Sequence, residues 1–364
     1  AGTTLTSGPE NLTVTDNFTL PGISDDKPTV GTMRFNDDLA SLEFYTGSEW
    51  RAVNSYVDSG NRGRAIFFGG YDTNPHGDAY GKHIDYMSLV SGGKALNFGD
   101  LYQKRTNTAA CGNTVRSLCT RGYSIGDDID YVNIASTGDG IDFGDTTVDT
   151  YGGQGVSSST RGIFVGGAGS NIIDYVEIMT TGNAIDFGDT VAASRGQATA
   201  SSPTRGIIAN GIHLGGEISY VTISSTGNAI DFGKDLFVGG YCFNGGSTGV
   251  RAVWAGGYGG TATTPYGPKV HTNSIRGVII ASGGIANEFG ELNRTIGFTY
   301  IPGLSNKTRA CWCGGYRVSP TPYLNTIDYF QMNSSGKASD FGDLSYKVAI
   351  NSTCSDSHGG LGGF

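Results

Sequence analysis

The side chains that could do chemistry in this 364-residue chain recur at equivalent places. Asp100, Asp145, Asp189, Glu291 and Asp343 each follow a Phe-Gly pair, and Lys234 stands at the same position of a further copy. Recurring acids suggest a metal site or a carboxylate pair. Repetition argues against both, because acid–base catalysis needs two carboxyls whose unlike surroundings push their pKa values apart. Capping of turns by these acids is the expected role. The histidines, His76, His83, His213, His271 and His358, form no H-x-H or H-E-x-x-H arrangement, so no metal site is expected. Cys111, Cys119, Cys242, Cys311, Cys313 and Cys354 contain no C-x-x-C pair and read as free, buried, small apolar fillers. No G-x-S-x-G elbow, P-loop or dinucleotide fingerprint occurs, and the Gly-Gly pairs have no helix behind them to receive a phosphate. The expectation is a protein with no catalytic residue and no cofactor, and not an enzyme.

The elements that position these residues repeat. Phe98, Phe143, Phe187, Phe232, Phe289 and Phe341 open the Phe-Gly pairs, at separations of 45, 44, 45, 57 and 52 residues. Ile-Asp-Tyr begins at Ile84, Ile129, Ile173 and Ile327, and becomes Ile-Ser-Tyr at Ile218 and Ile-Arg-Gly at Ile275. An arginine precedes each apolar run, at Arg62, Arg121, Arg161, Arg205, Arg251 and Arg309. Arg161 with Asp174, Arg121 with Asp130 and Arg309 with Asp328 are candidate ion pairs. Each unit reads as four strands: IFVGG (163–167), IDYVEI (173–178), a short run at 184–187 after a Thr-Gly-Asn turn, and the small, polar RGQATAS (195–201). The glycine pairs suit a crowded centre, and the small polar run suits an exposed outer edge.

Composition points the same way. The 60 glycines show no G-x-y period, charged residues are 16%, and β-branched and aromatic residues outweigh helix formers, so the class is all-β. A formal charge of -9 without a basic tract disfavours nucleic acid as a partner. No apolar run approaches the length of a membrane span, so no membrane insertion is expected.

Four strands per period of this length is β-propeller arithmetic. The chain ends on Gly360-Leu361-Gly362-Gly363, which falls on the place of a seventh first strand. Residues 1–30 read as a polar arm or linker, and 31–53 as a three-stranded meander. Pairing the meander with 359–364 would give a seven-bladed propeller over 31–364, built on the repeats of 62–358 and closed by a composite blade. The alternative is six blades plus a separate N-terminal meander.

What varies between units lies in the connection from first to second strand. Insertions at 71–82, 258–272 and 316–324 would all emerge on one side of the disc. They carry Tyr71, Tyr80, Tyr258, Tyr266, Tyr316 and Tyr323, the candidate binding surface.

The double glycine resembles the kelch signature, though the separated Tyr and Trp that complete it are absent. The segment GTMRFNDDLASLEFYTGSEW (31–50), the Ile-Asp-Tyr, Thr-Gly-Asn-Ala and Phe-Gly-Asp blades, and the ending SDSHGGLGG (355–363) resemble virion proteins of tailed bacteriophages, in particular tail fibre and appendage proteins. The resemblance implies a structural or host-binding virion protein assembled in the host cytoplasm. It would be attached to other virion proteins through its N-terminal arm, with a host cell-surface glycan as a further partner and a homo-oligomer left open. A lectin-like propeller, and behind it a glycan-active enzyme, is the alternative.

Overall fold

The computed structural model describes residues 29–36, 41–47, 50–52, 63–72, 80–123, 126–149, 151–167, 169–209, 211, 216–236, 244–259, 270–296, 303–315, 323–349 and 351–362. They belong to two units, Ala1–Gly60 and Asn61–Phe364. In the first, Met33–Asn36, Ser41–Tyr45 and Trp50–Ala52 form an antiparallel sheet of their own, with Arg34 bridged to buried Glu43 at 2.7 Å.

The second unit is a six-bladed β-propeller. Its third blade runs from an inner strand, Gln154–Ser157, through Arg161–Gly167 and Ser170–Glu177 to an outer strand, Ile185–Asp189, each antiparallel to the last. Apolar clusters fill the six clefts between blades. Ile163, Ile173 and Phe187 of blade three, for example, pack on Ile208, Val221 and Ile223 of blade four. The last cleft joins Cys311, Cys313 and Ile327 of blade six to Ala65, Phe67 and Met87 of blade one. Burial of these side chains against a neighbouring blade is the main stabilising term.

Seven-bladed closure through a composite terminal blade is therefore incorrect. Ser352–Ser355 pairs antiparallel with Arg64–Asp72 and supplies the missing inner strand of blade one. Gly359–Leu361, expected as a strand, is a short 3-10 turn. The ring thus closes at six, the stated alternative.

The order of strands within a blade is also corrected. The small polar run, expected at an outer edge, is the innermost strand of the following blade. Six strands converge on the axis, where small residues, Gly, Ala, Ser and Thr above all, leave room for a neighbouring backbone. A Cβ on Gly155 would stand 2.1 Å from the Ala110 carbonyl oxygen, and one on Gly245 2.3 Å from that of Thr199. The glycine pairs instead end the second strand, where Gly166 and Gly167 take φ of 51° and 153° at a shift of register.

The repeat signature turns out to be junction chemistry. In five blades the Tyr of the third strand packs its ring against the Phe of Phe-Gly, as Tyr175 does on Phe187 at 5.9 Å. The first arginine of the second strand then lies over that tyrosine and donates Nη1 to a carbonyl of the next blade. Arg161 sits 4.4 Å above Tyr175 and bonds Ile223 O at 3.1 Å. Arg116 bonds Ile178 O at 3.2 Å, and Arg205 bonds Ile280 O at 2.9 Å. In blades one and two this arginine is Arg64 or Arg116, where the sequence had suggested Arg62 and Arg121. The expected Arg–Asp pairs are replaced. Arg161 meets Glu177 at 3.0 Å, Arg121 meets Asp128, and Asp130 is bridged by buried Arg105 at 2.7 Å. Asp174 accepts from Thr147 N–H and Oγ1 of the preceding blade at 2.8 and 2.7 Å.

The glycine of Phe-Gly makes the outer junction. A Cβ on Gly188 would lie 2.6 Å from the Gly227 carbonyl oxygen of the next blade, while Gly227 N–H donates to Phe187 O at 2.7 Å. Asn228 Oδ1 then accepts from Asp189 N–H at 3.0 Å. The outer edges are thus bonded to the next blade rather than left open.

Candidate functional site

Because strands alternate in direction, the two ends of the disc differ. The connections after the second and the outer strands lie on one end, here the upper face. The turns after the inner and third strands lie on the other, with the chain terminus.

At the axis, hydroxyls of the inner strands link neighbours. Ser157 Oγ donates to Gly112 O at 2.8 Å and accepts from Gly112 N–H at 3.2 Å. Ser247 does the same with Ser201, and Ser305 with Ser247. Ser355 Oγ donates to Ser305 O at 2.5 Å. The sixth place is Gly112, where a Cβ would meet Arg116 O at 2.4 Å. His358 completes the belt there. Its Nε2 lies 3.0 Å from Gly112 O, and its Nδ1 accepts from Gly360 N–H at 3.1 Å. These two bonds specify the neutral ring protonated on Nε2, and burial pulls its pKa down. The His-Gly-Gly ending is therefore a plug at the lower end, where a Cβ on Gly360 would lie 1.9 Å from Ser157 O.

The axial cavity above the plug has a volume of about 60 Å³ and is lined by Ser, Thr, Gly, Ala, Val, Leu, Cys, Gln154 and His358. Among the described residues no carboxylate lines it, so none of them places a pair of acids there to flank a glycosidic bond. Burial raises the thiols that line it, Cys354 to about 12 and Cys111 well above its usual range, which disfavours the thiolate. Cys111, Cys119, Cys311, Cys313 and Cys354 are free and buried, and Cys242 lies outside the described residues. Among the described residues no three His, Cys, Asp or Glu gather as a metal would require. The acids after Phe-Gly are dispersed over separate blades, with Asp100 bridged to Lys82 at 2.9 Å and to His83 at 3.1 Å.

The upper face is where side chains depart from the repeat. Tyr71 of blade one and Tyr323 of blade six are half-buried, and their rings meet at 5.7 Å between centroids, tilted by 31°. Blade six and blade one are direct neighbours, so the bases of their two insertions adjoin. Tyr80 is the strand partner of Tyr71, and Tyr258 pairs with His271 in blade five. Tyr266 and Tyr316 lie outside the described residues.

A second aromatic group was not singled out by the sequence. Tyr123, half-exposed in the short connection of blade two, meets Tyr151 edge-on at 5.3 Å. Arg195 lies 5.5 Å from the Tyr151 ring centre and donates to its hydroxyl at 3.0 Å. The available signal was position: all three fall outside the repeating landmarks, in connections that lead to the upper face.

Comparison with known proteins finds no matching family model and no similar curated protein.

Proposed function

We propose that the propeller is a non-catalytic binding module that recognises saccharide through its upper face, at the junction of blades six and one. The observation that supports this most is the Tyr71–Tyr323 ring pair. Two tyrosines from opposite ends of the chain are held together by ring closure, part-exposed, and beside the strand position of Tyr80. Aromatic faces suit the C–H faces of a pyranose, and the phenolic hydroxyls supply polar contacts at their tips. Among the described residues the recurring Arg, Tyr, Phe-Gly and Asn are occupied in joining blades, which leaves this pair outside the scaffold's own contacts. The likeness of residues 31–50 to tailed-phage virion proteins supports placing such a module on a virion, with host-surface glycan as ligand.

Screening the protein on a glycan array and titrating the best ligand tests the reading. Tyr71→Ala and Tyr323→Ala should each weaken that ligand about tenfold, the equivalent of ~1.4 kcal/mol. Undiminished binding by the double variant would overturn it.

A further inference from the structure

The Tyr123–Tyr151–Arg195 group points to a second site on the same face, and its chemistry is more specific. Every other described arginine side chain is committed. Arg64, Arg116, Arg161, Arg205, Arg251 and Arg309 donate across blade junctions. Arg34, Arg105, Arg121 and Arg276 face carboxylates. Arg195 faces no carboxylate and donates to no backbone carbonyl. Its one hydrogen bond is to the Tyr151 hydroxyl, and its remaining N–H groups have no partner among the described residues. Stacking and that bond fix the guanidinium plane, so its open donors are oriented in advance for a planar or tetrahedral anion. Beside it, Gly152 N–H donates to Asn107 O at 2.8 Å, and the Asn107 carboxamide oxygen is buried without a donor. Asn107 holds φ of 55°, the one non-glycine residue with positive φ among those described.

We infer that Tyr123, Tyr151 and Arg195 form a subsite for an anionic sugar. The acidic group would sit on Arg195 and the ring against the corner of the two tyrosines, with the Asn107 carbonyl anchoring the connection that carries Tyr151. This rests on the saccharide-binding reading of the upper face, but on different residues. It gives the ligand a charge that the Tyr71–Tyr323 pair alone does not select.

The test is calorimetry on the whole chain with two matched probe pairs, oligogalacturonate against its methyl ester and sulfated against unsulfated dextran oligosaccharide. Wild type should prefer the acidic member of at least one pair by about tenfold. Arg195→Gln should abolish that preference, and Arg195→Lys should recover only part of it, since a point charge does not replace the planar fork. Preference in the first pair alone identifies a carboxylate, and in the second alone a sulfate ester. Both variants alter a single bond, to Tyr151 on the connection into the neighbouring blade, so each should stay folded with a melting temperature close to that of wild type. An acid preference that survives in Arg195→Gln overturns this inference while leaving the blade six–one site standing. Loss of preference in Arg195→Gln, with Tyr71→Ala and Tyr323→Ala silent for every probe, supports this subsite and overturns the other. Equal binding of acidic and neutral probes, or binding of none, overturns the subsite.

Discussion

Arg309 donates to the carbonyl oxygens of Leu89 and Val90, at 3.2 and 2.8 Å, across 220 and 219 positions of sequence. The bond joins blade six to blade one by the same chemistry that Arg161 uses between blades three and four. Arg309→Met should keep the aliphatic contact and lose two hydrogen bonds and a cation–π contact to Tyr329, destabilising the fold by about 2–3 kcal/mol. Urea unfolding monitored by tryptophan fluorescence measures it, and a change below about 0.5 kcal/mol would mean the junction is solvated in practice.

The outer junction separates two effects usually seen together. Gly182 and Gly188 have nearly equal φ, 150° and 143°, but only Gly188 faces a neighbouring backbone, at 2.6 Å from a built Cβ. Gly182→Ala should lose about 1–3 kcal/mol from backbone strain alone. Gly188→Ala should lose about 1–3 kcal/mol more from the clash. Equal losses in the two variants, compared by urea midpoints, would show that the outer strands yield to the added methyl.

Ser247 both donates to Ser201 O, at 2.5 Å, and accepts from its N–H, at 3.2 Å, in the buried belt. Ser247→Ala leaves both groups of Ser201 without this partner and should lose about 2–4 kcal/mol. Ser158→Ala, on the exposed turn nearby, should change stability by less than about 1 kcal/mol.

His358 makes the plug sensitive to pH in a defined sense. Its folded pKa is lowered by burial, so the unfolded chain takes up the proton first. Stability is complete above about pH 6.5 and falls as pH drops below it. The buried carboxyls Asp85, Asp130 and Asp174 act in the opposite sense, since burial raises their pKa and acid relieves that penalty. Loss of melting temperature from pH 7 to 5 should therefore be smaller in His358→Gln than in wild type. Parallel curves would exclude the histidine as the cause.

Ring closure gives the last test. Removing residues 352–364 takes away the inner strand of blade one together with the plug, and should abolish cooperative unfolding of the propeller. Removing residues 1–60 should leave that transition in place.

The number of repeats and their division into strands were legible from spacing. Strand order was not, because RGQATAS is small and polar for a reason composition does not distinguish. An exposed edge and a crowded axis both favour such residues, and only convergence of six strands decides between them. The junction arginine was misread in two units for a similar reason: Arg62 and Arg121 are each followed by glycine, as Arg161 and Arg205 are, whereas Arg64 and Arg116 are followed by Ala65 and Ser117. Tyr123, Tyr151 and Arg195 were passed over because each stands alone in sequence, on three different blades.

One junction breaks the shared pattern. In blade five the place of the third-strand aspartate is taken by Arg276, and the carboxylate comes from Asp235 of blade four, which also accepts from the Trp254 indole N–H at 2.8 Å. In blades one to three the acid is on the receiving blade, as Asp85 is for Ser345, Asp130 for the Tyr102 N–H and Asp174 for Thr147, while blade four has Ser219 in its place. Blades one to three thus present interchangeable couplings, and duplication or loss of one of them would leave those couplings matched. The reversed pair is keyed. It makes the fourth and fifth blades obligate neighbours and gives an otherwise cyclic permutation of like parts a fixed starting point.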